Sequence, residues 1–295
     1  MLAPDFLLGS PAPGWLARAW VELFVSDTRL RVYKTLPKAV APWAVDSGGF
    51  TQLQKFGKWT VSPHEYVERL RRYRNDIGML KWAAPQDLMC ESLIINGGVA
   101  NGQRFVGTRR HLDPDGLLSE QEIVRIHQRL SVLNVAQLRE LAPDLRIIPV
   151  VQGQHPEDYL YCKELYWELA GIDLTTEPLV GVGSVCRRQA TAEAGQILLA
   201  LHAAGVTRLH GFGFKLLGLR DFGHLLVSAD SMAWSFVARR LKRPALPECI
   251  GGPHKNCASC FAWAMHWRRF ALIAASGRHH RAAARRALHA VPTAA

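Results

Sequence analysis

Short apolar runs recur along the chain, each closing on Gly, Asp, Gln or Ser and each separated from the next by a segment long enough for a helix. Continuous runs of this kind suit strands covered on both faces, as in a parallel sheet. They predict strands at Phe6–Leu8, Leu30–Tyr33, Trp43–Val45, Leu80–Ala83, Ile147–Val151, Leu179–Val182, Arg208–Gly211 and Leu225–Ser228. Helical periodicity predicts helices over Pro63–Ile77, Ser119–Leu141, Pro156–Ala170, Thr191–Ala204 and Met232–Leu241, the second opening on the capping box Ser119-Glu120-Gln121-Glu122. This alternation favours a (β/α)8 TIM barrel over an open doubly wound sheet, and neither Gly181-Val182-Gly183 nor Gly211-Phe212-Gly213 completes a dinucleotide fingerprint.

The barrel is expected to fill residues 1–242, with Asn96–Gly116 as an active-site loop. From Arg243 the alternation gives way to Pro, Gly, Cys and His, which marks a zinc-binding element at 243–275 packed on the barrel, followed by a basic tail at 276–295. A length of 295 residues with 48% hydrophobic content supports one large core. No apolar run approaches the ~20 residues of a bilayer span, and the N-terminus lacks a signal-peptide pattern, so a cytoplasmic protein with no membrane partner is expected.

Charge changes the picture of partners. The formal net charge is +11, and no acidic residue follows Glu248, whereas Lys255, Arg268, Arg269, Arg278, Arg281, Arg285 and Arg286 do. A second cluster, Arg69, Arg71, Arg72 and Arg74, falls on the helix beginning near Ser62-Pro63. Together they point to a polyanion such as nucleic acid.

Cys90, Cys162 and Cys186 stand apart in apolar or helical surroundings and read as buried, inert thiols. Cys249, His254, Cys257 and Cys260 fall within twelve residues around two glycines, a donor set for a structural tetrahedral zinc ion. In a cytoplasmic chain this outweighs a disulfide. His266 and His279 remain alternatives for the fourth ligand.

A second constellation lies at the expected strand ends: Asp46-Ser47-Gly48-Gly49-Phe50, Asp87, Gln152, Gly183 and Asp230. Barrel strand ends meet at one mouth. The glycines of the first stretch clear the backbone for a flat ligand, and Phe50 offers an aromatic face. Carboxylates and an amide suit a donor-rich heterocycle such as guanine, and one carboxylate could attack a sugar carbon. Lys215, after Gly211-Phe212-Gly213-Phe214, stands where barrels often hold a phosphate.

At these residues the chain resembles the tRNA-guanine transglycosylase superfamily, and more closely its DNA-acting, DpdA-like branch, which puts 7-deazaguanines into DNA. The matching stretches are Val45–Phe50, Val150–Gly153, Gly181–Ser184, His210–Gly213, Ala229–Trp234 and the cysteine cluster. The resemblance implies a zinc-bearing TIM barrel that exchanges guanine for a free 7-deazaguanine of the preQ0 type. It implies Asp230 as the nucleophile on C1′, Asp46 as the carboxylate that recognises the base and moves protons, and Asp87, Gln152 and Gly183 as further base contacts. Double displacement through a glycosyl-enzyme would retain configuration, and the target base would leave its stack. The wider cysteine spacing and the sequence after Asp230 depart from the tRNA enzymes and favour DNA. The alternatives are a tRNA enzyme of the queuosine or archaeosine type and a non-catalytic, zinc-containing nucleic-acid-binding barrel. An accessory protein for duplex DNA and the oligomeric state stay open.

Overall fold

The computed structural model describes residues 3–276. The first half comprises β1 (Asp5–Ser10), β2 (Leu23–Ser26), α1 (Asp27–Leu30), β3 (Trp43–Asp46), α2 (Gly49–Phe56), α3 (Pro63–Asp76), β4 (Leu80–Ala83), α4 (Ser92–Asn96), β5 (Gly98–Ala100), β6 (Gln103–Phe105), α5 (Arg109–Leu112) and α6 (Glu120–Leu141). The second comprises β7 (Val150–Val151), α7 (Pro156–Ala170), β8 (Val180–Val182), α8 (Ala192–Ala203), β9 (Leu209–Gly211), α9 (Leu216–Phe222), β10 (Ser228–Ser231), α10 (Ala233–Leu241) and α11 (Phe261–Ala275).

Eight strands form one parallel sheet in the order β4-β3-β2-β1-β10-β9-β8-β7. The first and last strands pair at its centre, which sets Leu7 opposite Asp230. The sheet curls, and Ala83 at the end of β4 forms an isolated parallel bridge with Ile147, three residues before β7, where Ala83 N–H donates to the Arg146 carbonyl at 2.9 Å. Leu7, Phe24, Ala44, Trp82, Ile148 and Leu179 fill the inner face, while Phe6, Leu8, Val25, Trp43 and Val45 pack outward among the helices. Apolar burial on both faces is why these strands read as unbroken runs.

Capping boxes at Ser62 and Ser119 start α3 and α6, each with the N3 glutamate returning to the cap N–H. The bond lets one serine and one glutamate satisfy two otherwise orphaned amides. At the other end of the chain, α11 packs on the outside of β1: Trp267 meets Phe6 with ring centroids 6.1 Å apart, and Phe261 lies edge-on to Trp15 at 5.1 Å.

Several expected elements are displaced. The strand expected at Leu30–Tyr33 is instead the end of α1 and a turn, with Val32 70% exposed; β2 is formed by Leu23–Ser26. The fully apolar Leu23-Phe24-Val25 suits a two-sided strand better than the arginine-interrupted run after it. The last strand starts at Ser228 rather than Leu225 because Gly223–Leu225 turns as a 3-10 helix, which puts Asp230 inside the strand. The loop expected at Asn96–Gly116 contains the β5–β6 hairpin, turned by Asn101 (φ 51°) and Gly102 (φ 73°). An Asn-Gly pair with positive φ is the favoured two-residue hairpin turn.

The arginines of α3 are engaged within the fold. Arg69 pairs with Asp27 at 3.2 Å, Arg71 with Asp144 at 2.9 Å, Arg74 also with Asp144, and Arg72 donates to the Tyr33 and Lys34 carbonyls. These bonds tie α3 to α1 and to the loops beside it. Apart from Ser276, the basic tail, with His279 and its four arginines, lies outside the described residues. No described helix is long and apolar enough to cross a membrane.

Candidate active site and metal centre

Because all eight strands are parallel, their C-terminal ends share one rim, and the acidic and amide groups come together there. Asp46 ends β3; its Oδ1 accepts the Gly48 N–H at 2.9 Å. Gly48 needs to be glycine at φ 80°, where a Cβ would also lie 2.5 Å from Thr28 Cγ2. Burial raises the pKa of Asp46 above the ordinary carboxylate range; the Gly48 N–H and Ser26 oppose it, and the charges of Asp230 and Asp27 add to it. Ser47 is buried, and Gly49 packs close to Trp59.

Asp87 lies beyond β4, and Gln152 directly follows β7. The bridged edge strands bring them together, and Gln152 Nε2 donates to Asp87 Oδ2. Ser184, following β8, donates to Gln152 Oε1 at 2.5 Å and accepts the Cys90 N–H at 2.8 Å. Those partners fix which end of the Gln152 amide faces Asp87. Burial pushes Asp87 up to about 7, assisted by the charges of Asp46 and Glu91 and opposed by the Gln152 hydrogen bond. Burial likewise raises Glu91, against the pull of Arg187. Gly183 is pressed against this network: a Cβ there would lie 2.2 Å from Gln152 Nε2.

On the opposite side, Asp230 Oδ1 accepts the Gly213 N–H at 3.0 Å and faces His210 Nε2 at 3.3 Å. The Gly213 amide is therefore directed at a carboxylate. Lys215 is exposed at the cap of α9, its backbone N–H donating to Gln189 Oε1 at 3.3 Å. Phe50 lies at the mouth, 36% exposed and edge-on to Phe105 of the hairpin, with the Arg187 guanidinium 5.4 Å from its ring centre. Aromatic faces beside a guanidinium can stack bases and meet phosphate.

Four participants escaped the sequence argument: Glu91, Ser184, Arg187 and His210. Ser184 carried a signal only in its position after the Gly-Val-Gly run, and it holds φ 55°, unusual for a residue with a Cβ. His210 lies within the His210–Gly213 stretch but had no role assigned. Glu91 and Arg187 carried no readable signal.

The cysteine cluster is a separate assembly. The ligand atoms of Cys249, His254, Cys257 and Cys260 all lie within 4.8 Å of one another, with Cys249 Sγ 3.8 Å from Cys260 Sγ and Cys257 Sγ 3.4 Å from His254 Nε2. A zinc tetrahedron with bonds of about 2.3 Å to sulfur and about 2.0 Å to nitrogen has S–S edges of about 3.8 Å and S–N edges of about 3.5 Å. The donor set fits a metal such as zinc. His266, by contrast, stacks on Trp263 at 5.8 Å and edges Phe270, outside the cluster. The loop is tied to α10, since Ser235 Oγ donates to the Ala258 carbonyl at 2.6 Å.

No curated protein matches the chain. A family model does, across almost all of it: residues 2–291 match DpdA, DeoxyPurine in DNA protein A, and the chain belongs to that family.

Proposed function

We propose that this protein exchanges guanine in DNA for a free 7-deazaguanine of the preQ0 type through a covalent Asp230 glycosyl intermediate. Family membership supports transglycosylase activity on DNA in general. The observation that carries the finer reading is the shared rim, which sets Asp46, the Asp87–Gln152 pair and Asp230 on different strands yet close enough for the charge of Asp230 to act on Asp46 and that of Asp46 on Asp87. The curled parallel sheet supports a (β/α)8 barrel closed at the Ala83–Ile147 bridge, with the cysteine element as a structural zinc site at 243–275.

In the first half-reaction Asp230 forms a bond to C1′ of the target nucleotide as the C1′–N9 bond breaks. The electron pair passes to guanine, which takes a proton from Asp46 and leaves. The incoming base returns a proton to Asp46, attacks C1′ and expels the Asp230 carboxylate. Two displacements retain configuration. A raised Asp46 pKa suits a group that gives and then takes the same proton. Asp87, Gln152 and the Gly183 backbone contact the base, with Ser47, Gly48 and Gly49 clearing its edge, Phe50 its face, and Lys215 beside a phosphate. Cys249, His254, Cys257 and Cys260 would hold a tetrahedral zinc with no position left for substrate, so that it would brace the loop that Ser235 ties to α10.

The test is incubation with labelled preQ0 and separate DNA and tRNA pools. Label should enter DNA; label in tRNA alone would move the protein to the queuosine-type reaction, and label in neither would remove the preQ0 assignment.

A further inference from the structure

His210 is fully buried on β9, with its Cα paired across the sheet to Ser228 of β10. Residues two apart on a strand point the same way, so Ser228 and Asp230 face one side together. The imidazole spans them, Nδ1 lying 2.8 Å from Ser228 Oγ and Nε2 3.3 Å from Asp230 Oδ1. Its ring is boxed by Phe212 at 4.7 Å and Trp82 at 4.8 Å, both edge-on, and by Phe24 at 6.0 Å. An ionised Asp230 only accepts, so Nε2 must carry a proton, and in the neutral ring Nδ1 then accepts the Ser228 hydroxyl.

We propose that His210, set in its tautomer by Ser228, is a positioning residue that joins the Gly213 N–H in holding Asp230 Oδ1, so that Oδ2 is the atom that bonds to C1′. This rests on the reading of Asp230 as nucleophile. Among the described residues Oδ2 carries no hydrogen bond, and it is the oxygen left free to react. As the ester forms, Oδ1 becomes its carbonyl oxygen and keeps both donors. When the second base attacks, the C1′–Oδ2 bond breaks and the electron pair returns to the carboxylate, where the same two donors stabilise it. Donors fixed in place before charge develops need no reorganisation at that moment. A ring kept only for packing could be replaced by any apolar side chain of similar volume; the Nε2–H could not.

The experiment is single-turnover exchange of radiolabelled guanine into DNA, with melting temperature measured alongside. His210→Phe should slow the single-turnover rate about 100-fold while the KM for free guanine stays within about twofold. His210→Gln, whose amide nitrogen can replace Nε2–H, should recover most of that loss. Ser228→Ala, which leaves the packing intact, should slow the rate about tenfold. The proposal is overturned if His210→Phe exchanges at the wild-type rate, if the Phe and Gln variants are equally slow, or, where His210→Phe fails to fold, if Ser228→Ala is unaffected. An active Asp230→Ala would instead overturn the nucleophile reading. An inactive Asp230→Ala beside a fully active His210→Phe would overturn only the role of His210.

Discussion

The two clusters of this protein are built in opposite ways. Cys249, His254, Cys257 and Cys260 come from one short loop, so the local chain alone brings their ligand atoms within 4.8 Å. The acidic rim draws Asp46, Asp87, Gln152 and Asp230 from β3, the segment after β4, the segment after β7, and β10, and it exists only once the sheet has curled and Ala83 has met Ile147. A local cluster contributes to stability through its own loop. A distributed one consumes stability, because it gathers carboxylates whose burial raises their pKa values.

The sharpest test of that contrast is a crossed pair of variants. Asp230→Ala should reduce exchange by at least about 10³-fold, as expected for loss of a nucleophile, with the melting temperature unchanged or higher. Cys257→Ser should do the reverse. It should lose the roughly one zinc per chain expected of the wild type and cost about 3 kcal/mol, a fall of roughly 10 °C, with exchange in the surviving folded fraction largely kept. Metal analysis, calorimetry and the exchange assay on all three proteins decide it. If the two variants lose the same property, the clusters are not separate in function.

The difference also explains what the sequence could show. The Cys249, His254, Cys257 and Cys260 cluster was legible because its spacing is its geometry, although His266 could be set aside only once its stacking on Trp263 was seen. The eight parallel strands were legible in number, and six in place, because two-sided burial writes continuous apolar runs; β2 and β10 were misplaced where turns competed with the run. The ties made by the α3 arginines were not legible, for a physical reason. Their acceptors, Asp27, Asp144 and the Tyr33 and Lys34 carbonyls, are distant in sequence, so a helix-to-loop tie looks the same as an open cationic face. At the rim the carboxylates stood out as strand-end residues, but Ser184 and His210 bond to partners that only the folded sheet supplies. The amphipathic α11 was missed inside a segment dominated by its cysteines and histidines.

A smaller effect probes how tightly the distributed site is assembled. At Gly183, Ala would place its Cβ 2.2 Å from Gln152 Nε2 and 2.5 Å from Cδ, and the Gln152 side chain is fully buried. The amide must swing out of its bonds to Asp87 and Ser184. Overpacking of this kind costs about 1–3 kcal/mol, and exchange should fall roughly 10- to 100-fold, mainly through a higher KM for the free base. An unchanged KM would mean that the amide does not touch the base.

The smallest effect concerns pH. Burial holds Asp87 at about 7 in the folded protein, against a usual value of 3.8, with Asp46 and Glu91 adding like charge. Between those values the folded chain binds a proton that the unfolded chain has released, so its stability from this group is complete below about pH 4 and is lost as the pH rises through about 7. Asp87→Asn removes the titration and keeps an acceptor for Gln152. The melting temperature of the Asn variant should therefore draw ahead of the wild type between pH 4 and pH 7, by on the order of 5 °C once partial exposure is discounted. Cys257→Ser, measured over the same range, should keep a constant offset as far as Asp87 is concerned, because the metal loop does not sense that proton. A gap for Asp87→Asn that narrows with rising pH would show that Asp87 is ionised in the folded protein, and that the rim tolerates its carboxylates through hydrogen bonds rather than protonation.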